Sequence, residues 1–234
     1  MCIRDSIYKA PTLNDLYFLP GGNPDLRDES GWTYECGLST QPGIAGRLAA
    51  AASVTWFDSY IDDWILWLPT PKGFFAPRNI RRVHAYGIEA RGNLAADLGR
   101  GWFGELSCSY SWTPSINRGD RVSDADRSVG RQLPYTPRHS ASLNATASWH
   151  SWNIGYKWCY YSPRYTQSSN EVTISGRLKA YFMSNLSLGR DFRLPAGLLS
   201  VKLAVNNLFD ADYVTVLSRP MPGINYELFI SYTL

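Results

Sequence analysis

Polar and apolar side chains alternate along two adjoining stretches near the middle of the chain. In residues 139–149 and 152–161, every second side chain is mostly apolar, and those between are mostly small or polar. Successive side chains of a β-strand point to opposite faces, so this period of two predicts strands with one apolar and one polar face. Only His150 and Ser151 separate the two stretches, which predicts a hairpin.

The same alternation recurs along most of the chain and predicts about nine antiparallel strands, with almost no helix signal. The other predicted strands are 32–39, 48–57, 86–97, 102–112, 178–188, 199–206 and 224–234. Short and long connections alternate between the strands. The short ones are 42–46, 98–101, 150–151 and 191–196, and the long ones are 60–82, 113–133, 162–177 and 208–223.

Alternation alone fits either a soluble β-sandwich or a membrane barrel, and three features favour the barrel. The predicted strands run to about 10–15 residues, whereas soluble strands cluster near 5–6 and a tilted strand crosses a bilayer with about 9–11. Short turns on one side and long loops on the other are typical of outer-membrane barrels. Aromatic residues collect at the strand ends, as two interfacial girdles require. They include Trp102, Trp149 and Trp152 at the short turns and Tyr110 and Trp112 at the far end.

Charged side chains of the predicted strands fall on the polar face, which we expect to line a lumen. They are Glu35, Glu89, Arg91, Glu105, Lys157, Lys179, Lys202 and Glu227. A Lys or Arg on the lipid face at mid-bilayer would cost about 2–4 kcal/mol. The alternation pattern places no Lys or Arg of the predicted strands on the lipid face.

The predicted number of strands indicates a segment of a barrel. A complete bacterial barrel has an even number of strands, and an open sheet edge in lipid leaves backbone groups unpaired. We therefore expect residues 31–234 to form part of a barrel that does not fold alone. Residues 1–30 are predicted to be a truncated N-terminal or outer loop segment. We expect the chain to be the C-terminal part of a longer protein. We also expect that its first six residues, MCIRDS, are not native sequence.

The composition mainly argues against several classes of protein and site. Charged residues make up 18% of the 234 residues, aromatic residues 14%, and the net charge of +3 is too weak to indicate nucleic acid. No apolar run is long enough for a transmembrane helix, and the N-terminus lacks the apolar core of a signal peptide. The cysteines lie far apart, so neither a metal site nor a disulfide framework is expected. They are Cys2, Cys36, Cys108 and Cys159.

Three segments resemble motifs of TonB-dependent outer-membrane receptors. They are YKAPTLNDLYFLPGGNPDLRDESGWTYECGLS at residues 8–39, RRVHAYGIEARGNL at 81–94 and NNLFDADYVTVLSRPMPGINYELFISYTL at 206–234. The chain departs from the family pattern at Leu234, where a C-terminal Phe or Trp is usual and Tyr232 offers the nearest aromatic ring. Asn225 stands where the family often has Arg.

The resemblance implies the last part of a 22-stranded all-β antiparallel transmembrane barrel in the outer membrane of a Gram-negative bacterium. Such receptors are energised by the TonB complex through an N-terminal part that this chain lacks, and they import siderophores, haem, cobalamin or similar scarce nutrients. The implied partners are outer-membrane lipid, the plug domain of the same receptor, the TonB complex and a small-molecule substrate. No cofactor, metal, nucleic acid or enzymatic activity is expected.

Candidate binding residues fall into two groups. Aromatic side chains on outer loops can stack on a flat ligand, although they equally suit an upper girdle or loop packing. They are Trp64, Trp67, Phe74, Phe75, Tyr160, Tyr161 and Tyr165, with Tyr17 and Phe18 nearby. Charged residues of the polar face suit a plug-docking wall, or pairing across strands. They are Glu89, Arg91, Glu105, Lys157, Lys179 and Lys202.

Other polar residues are weaker candidates for a metal or haem site. Asp120, Asp124 and Asp126 offer oxygen ligands for calcium, but the arginines between them favour a solvated, charge-balanced loop. A strand histidine such as His84 is more often simply polar than a metal or haem ligand.

Two further functional classes stay open from the sequence. A passive porin or adhesin barrel would need a charged constriction loop, whereas these loops are more aromatic than charged. An outer-membrane enzyme would need a serine, histidine and acid cluster on the lipid side, where only His139 is available.

Overall fold

Long antiparallel strands dominate the computed structural model, which describes residues 1–42, 47–70, 72–121, 124 and 126–234. One short helix, α1 (Leu13–Tyr17), follows the first strand. The strands are β1 (Cys2–Lys9), β2 (Glu29–Thr40), β3 (Leu48–Pro69), β4 (Phe75–Gly99), β5 (Trp102–Trp112), β6 (Ser115–Asn117), β7 (His139–Trp149), β8 (Trp152–Tyr161), β9 (Arg164–Tyr165), β10 (Arg177–Leu178), β11 (Tyr181–Leu194), β12 (Gly197–Asn206) and β13 (Asn225–Thr233). Within the described part of the chain, no helix is long and apolar enough to cross a membrane.

Almost all of these strands form one open sheet. Its order is β1-β2-β3-β4-β5-β7-β8-β11-β12-β13, and β6 pairs with β4 beside that path. Strands β9 and β10 form a separate two-stranded sheet. All the strands predicted from alternation are confirmed, and neighbours along the chain pair antiparallel because short turns or returning loops join them.

The register gives the sheet two chemically distinct faces. Residues directly opposite each other in paired strands share a face, so one register row can be followed across the sheet. An apolar row contains Leu94, Leu106, Ala145, Tyr156, Leu186, Val205 and Tyr226. The adjacent polar row contains Asn93, Ser107, Asn144, Lys157 and Asn185. We call these two surfaces the apolar face and the polar face.

The apolar face is not the core of a sandwich. Its side chains are exposed: Val54 is 50% exposed, Leu203 48% and Leu228 63%. Some polar groups on this face hydrogen-bond each other, as Tyr110 Oη does with His139 Nδ1 at 2.8 Å and Tyr156 Oη with Ser184 Oγ at 3.0 Å. An exposed apolar surface with internally paired polar groups suits a lipid environment.

Buried apolar residues lie mainly on the side of the long connections, which we call the outer side. Ile61, Ile65, Val83, Ile116 and Leu133 are each at most 8% exposed. They belong to the upper parts of β3 and β4 and to the connection between β5 and β7. The outer side therefore has a small hydrophobic core of its own, whereas the middle of the sheet does not.

The first strand is an addition to the predicted set. Strand β1 pairs with β2 from Cys2 opposite Cys36 to Lys9 opposite Glu29, although residues 1–30 were predicted to be a loop segment. The two cysteines form a disulfide with Cα atoms 4.2 Å apart. No disulfide framework was expected, and this single pair departs from that expectation, because cross-strand neighbours 34 residues apart leave no spacing signal.

Two strand limits also differ from the alternation pattern. The predicted loop 60–82 is instead a continued β3–β4 hairpin, paired as far as Pro69 opposite Phe75. Residues 61–68 of this hairpin are all buried or half-buried, so alternation ends while the strand continues. Strand β11 begins at Tyr181 rather than at residue 178, because Arg177 and Leu178 pair with β9.

Candidate functional site

The polar face carries the charged residues that were predicted to line a lumen. Glu89 and Arg91 lie two residues apart on β4 and form an ion pair of 3.3 Å, with side chains 39% and 68% exposed. Glu105 stands opposite Thr146, and Lys157 stands between Asn144 and Asn185. These positions confirm the alternation that placed the charges on one face.

Charge is unevenly divided across this face. The carboxylates Glu35, Glu89 and Glu105 lie on β2, β4 and β5. Arg91 of β4 lies among them. Lys157 and Lys202 lie on β8 and β12, next to Glu227 of β13. A niche of about 460 Å³ opens on the acidic half, lined by Thr33, Glu35, Ser53, Thr55, Phe57, Ser59, Glu89 and Arg91. Lys179 is the exception among the predicted lumen residues, because it is exposed and lies before β11 begins.

On the outer side, a hydrogen bond and a ring contact join the connection between β1 and β2 to the β3–β4 hairpin. Thr12 caps α1 by accepting a hydrogen bond from the Asp15 backbone, and the Asp15 carboxylate accepts hydrogen bonds from Thr12 in return. Trp67 Nε1 donates to Asp15 Oδ1 at 2.7 Å, and the Trp67 ring meets Phe18 edge-to-face at 5.9 Å. Burial alone would raise the pKa of Asp15, but the hydrogen bonds from Thr12 and Trp67 lower that pKa below its ordinary value.

A buried glutamate forms a second contact between the end of this connection and the hairpin. Glu29 is 2% exposed, and its Oε1 accepts hydrogen bonds from the Ile65 backbone at 2.9 Å and from Lys9 Nζ at 3.1 Å. Close by, Asn79 exchanges hydrogen bonds with the backbone of Arg27 at 2.9 and 3.0 Å. The motif around GNPDLRDE is thus a joint between two outer segments.

An arginine and three tyrosines gather where β8 and β11 reach the outer side. Tyr161 and Tyr181 are cross-strand neighbours on the polar face with ring centroids 5.3 Å apart, and Tyr213 lies 5.0 Å beyond Tyr181. The Arg164 guanidinium lies 5.0 Å from the Tyr181 ring, and its Nη2 donates to the Val214 carbonyl at 2.8 Å. Arg164 is 5% exposed and its Nε has no hydrogen-bond partner. We call these four residues the arginine–tyrosine cluster.

The NNLFD stretch shapes the connection between β12 and β13. Asn207 is 2% exposed, and its side chain exchanges hydrogen bonds with the Ala211 backbone at 2.8 and 3.0 Å. Asp210 Oδ1 accepts from the Ile224 backbone at 2.9 Å, which closes the loop before β13. Both residues have positive φ, 51° and 48°, a conformation that Asn and Asp tolerate better than most residues.

The predicted aromatic contacts do not form one site. Trp67 is held by Asp15, and Trp64 lies on the same hairpin. Phe75 is 39% exposed near the hairpin tip, where Phe74 accepts hydrogen bonds from Thr70 through its backbone. On the other side, Tyr161 and Tyr165 lie at the arginine–tyrosine cluster and on β9. Tyr160 is in the apolar-face register, opposite Ala141 and Phe182, so it points away from the polar face.

Two of the remaining polar candidates, His84 and Asp126, have protein partners. His84 Nε2 lies 2.5 Å from Asp58 Oδ1, and the His84 ring stacks on Tyr60 at 4.4 Å. Asp126 accepts hydrogen bonds from Ser128 at 2.9 and 2.6 Å, and Val122, Ser123 and Ala125 of the same loop lie outside the described residues. Over the described residues, no group of three or more His, Cys, Asp or Glu side chains is arranged to hold a metal ion.

Sequence reasoning missed Arg164, Tyr181, Tyr213 and Glu29 as members of these outer contacts. Their partners lie between 17 and 50 residues away along the chain, so no local spacing indicated them. The buried charge of Glu29 and Arg164 is visible only once the loops are placed.

Known proteins share this arrangement. Residues 6–208 match the family described as TonB dependent receptor-like, beta-barrel. The vitamin B12 transporter BtuB of Photobacterium profundum is 28% identical over 211 residues, covering 88% of this chain and 30% of that protein. BtuB of Vibrio vulnificus is 38% identical over 84 residues, covering 35% of this chain and 13% of that protein. The chain therefore spans less than a third of the length of these relatives.

Solved structures agree on the fold. The copper transporter OprC superposes with a TM-score of 0.67 at 17% identity, covering all of this chain and 37% of OprC. The ferric-catecholate import receptor Fiu of E. coli K12 gives a TM-score of 0.65 at 20% identity, covering 97% of this chain and 32% of Fiu. The family match, the two-faced sheet and these superpositions lead to one conclusion: the chain belongs to the TonB-dependent receptor β-barrels of the Gram-negative outer membrane, and its described strands form an open sheet.

Proposed function

We propose that the chain is the C-terminal part of the barrel of a receptor that imports a scarce nutrient and is energised through the TonB complex. The family match over residues 6–208, on a sheet with one apolar and one polar face, is the observation that carries this proposal. In the full receptor, earlier strands would pair with the free edges of β1 and β13 and close the barrel.

Cobalamin is the first substrate to test. Two relatives are named as vitamin B12 transporters, and one of them matches over 88% of the chain. The receptors named for copper and for ferric catecholates match at 17% and 20% identity, which supports the shared fold alone. A siderophore or haem is the alternative cargo.

The polar face is proposed to dock the plug domain. Glu89 and Glu105 would contact basic and hydroxyl groups of the plug, and Arg91, Lys157 and Lys202 would contact acidic ones, because complementary charges set the orientation of a docked surface. The division of charge across the face supports one preferred orientation of the plug. Lys179 would contribute from the outer connection instead.

Substrate contact is proposed on the outer side. Trp64, Phe74 and Phe75 belong to the hairpin. Tyr161 and Tyr165 lie on β8 and β9, and β5 and β7 stand between β8 and the hairpin. The two groups would therefore contact a ligand from two positions along the sheet. Trp67 and Tyr160 are left out of this set, because Trp67 is held by Asp15 and Tyr160 is on the apolar face.

Uptake by the full-length receptor tests the proposal. Cells that express it, with and without a working TonB complex, would be given radiolabelled cyanocobalamin or a ferric siderophore. We expect accumulation of one of them only when TonB works, and loss of tight binding in Phe75→Ala. Accumulation that does not require TonB would instead support a passive pore, and absence of any uptake with surface attachment would support an adhesin.

A further inference from the structure

Arg190 is an unusual residue for its position. It lies on β11 in the apolar-face register, directly opposite Trp152 of β8 and Val201 of β12. Among the described residues of β2 to β13, it is the one charged side chain on the half of this face next to the short connections. A charge on the lipid side is costly at mid-bilayer and tolerated only close to the interface.

Two aromatic rings hold this guanidinium at the bilayer boundary. Its Cζ is 4.7 Å from the Trp152 ring centroid and 4.8 Å from the Phe192 ring centroid. Trp102 and Trp149 stack beside them at 5.6 Å, so the group lies within a girdle of the kind that marks the headgroup level. The sheet therefore places a permanent positive charge at lipid-headgroup depth.

The part of the chain that the structure describes supplies no carboxylate partner for this guanidinium. Within the described residues, Arg190 forms no ion pair with any carboxylate. The neighbouring Asp191 points to the other face, where its Oδ1 accepts a hydrogen bond from Ser200 Oγ at 2.6 Å. Arg190 is exposed, so its planar fork of donors is available on the lipid side.

We propose that Arg190, with Trp152 and Phe192, binds the phosphate of a glycerophospholipid in the inner leaflet of the outer membrane. A guanidinium matches phosphate through two parallel hydrogen bonds, and its weak hydration suits a partly dry site. The short connections of such barrels face the periplasm, which assigns this end to the inner leaflet. The inference depends on the membrane location and not on the cargo.

Lipid titration of the purified full-length receptor, followed by native mass spectrometry, tests this site. The probes are phosphatidylglycerol, phosphatidylcholine and a phosphate-free glycosyl diacylglycerol. For the first lipid bound, we expect both phospholipids to bind about tenfold more weakly to Arg190→Gln than to the wild type. Binding of the glycolipid should be unchanged. Arg193→Gln is the matched control, because Arg193 lies three residues later on the polar face.

Equal phospholipid binding by the wild type and Arg190→Gln would overturn the proposal, as would glycolipid binding as tight as phospholipid binding. If Arg190→Gln does not fold, Arg190→Lys keeps the charge without the planar fork, and an intermediate affinity is then expected. Wild-type affinity in Arg190→Lys would refute the specific recognition of phosphate. A failed uptake experiment leaves this result unaffected, since lipid binding needs no substrate.

Discussion

The middle of the sheet and its outer side are stabilised in different ways. In the middle, neighbouring strands pair along their length and apolar side chains stay exposed on one face, as for Leu203 and Leu228. On the outer side, buried polar side chains such as Glu29 and Gln132, each 2% exposed, accept hydrogen bonds from the backbone of segments 36 and 17 residues away along the chain.

The difference follows from the surrounding solvent. Lipid accepts apolar side chains, so the middle of the sheet needs only paired strands and a correct two-residue period. The outer segments lie in water and must order long loops, so they need a small core and hydrogen-bond partners for most of their buried polar groups. One chain therefore follows a simple binary pattern in one region and specific long-range contacts in the other.

A charge placed on each face of β7 should give the largest effect. Ala145 is on the apolar face and its neighbour Asn144 is on the polar face. We expect Ala145→Arg to destabilise the folded receptor in a bilayer by about 2–4 kcal/mol, because the charge would enter lipid near the midplane. Asn144→Arg should change stability little. The measurement is equilibrium unfolding of the full-length receptor in lipid vesicles, and equal losses in both variants would contradict the assignment of the faces.

The joint at Glu29 should be the next most sensitive position. Glu29→Ala removes the acceptor of the Ile65 N–H and should destabilise the outer side by about 1–3 kcal/mol. Glu29→Gln keeps an acceptor oxygen and loses only the pairing with the half-exposed Lys9, which is worth about 0–1 kcal/mol. Unfolding, monitored by hydrogen exchange of the β3 amides, would distinguish Glu29→Ala from Glu29→Gln. If Gln is as damaging as Ala, charge rather than the backbone hydrogen bond stabilises the joint.

How far the sequence predicts the molecule depends on the same contrast. The period of two identified the strands of the middle region and placed Glu89, Lys157 and Lys202 on the correct face, because alternation is a local consequence of strand geometry. The sequence also shows a glycine in the YGIEARG motif, Gly87, but not why a glycine is needed there. The structure gives the reason, because a Cβ at Gly87 would overlap the carbonyl oxygen of Trp112 on the next strand.

The outer contacts could not be predicted in this way. Arg164 meets Val214 and Tyr181, and Trp67 meets Asp15, through pairings that depend on how whole loops fold back. Aromatic letters in these loops suggested a ligand site, yet Trp67 serves a contact within the protein. Composition identifies which side chains are available, whereas their partners are set by tertiary structure.

Replacing Arg164 probes the second outer contact, with a smaller expected effect. Arg164→Ala removes the hydrogen bond to Val214 but also removes the buried Nε that lacks a partner, so we expect a net loss of about 1 kcal/mol. Amide exchange in residues 207–224 should become several-fold faster. Arg164→Met fills most of the same volume without the hydrogen bond. Slow exchange in Arg164→Met would show that packing, and not the hydrogen bond, holds this loop.

The contact between α1 and the hairpin should show the smallest effect and depend on pH. The pKa of Asp15 is lowered in the folded protein, so the stability it contributes is present above its ordinary pKa of about 3.9 and is lost as pH falls through the lowered value. We expect amide protection of residues 13–23, corrected for intrinsic exchange, to be constant down to about pH 4 and to fall below it. Asp15→Asn has no charge to lose, so its protection should be lower at neutral pH and should not change further on acidification. A wild-type profile that stays flat to pH 2, or a fall of the same size in Asp15→Asn, would mean that another group controls the contact of Trp67 with α1.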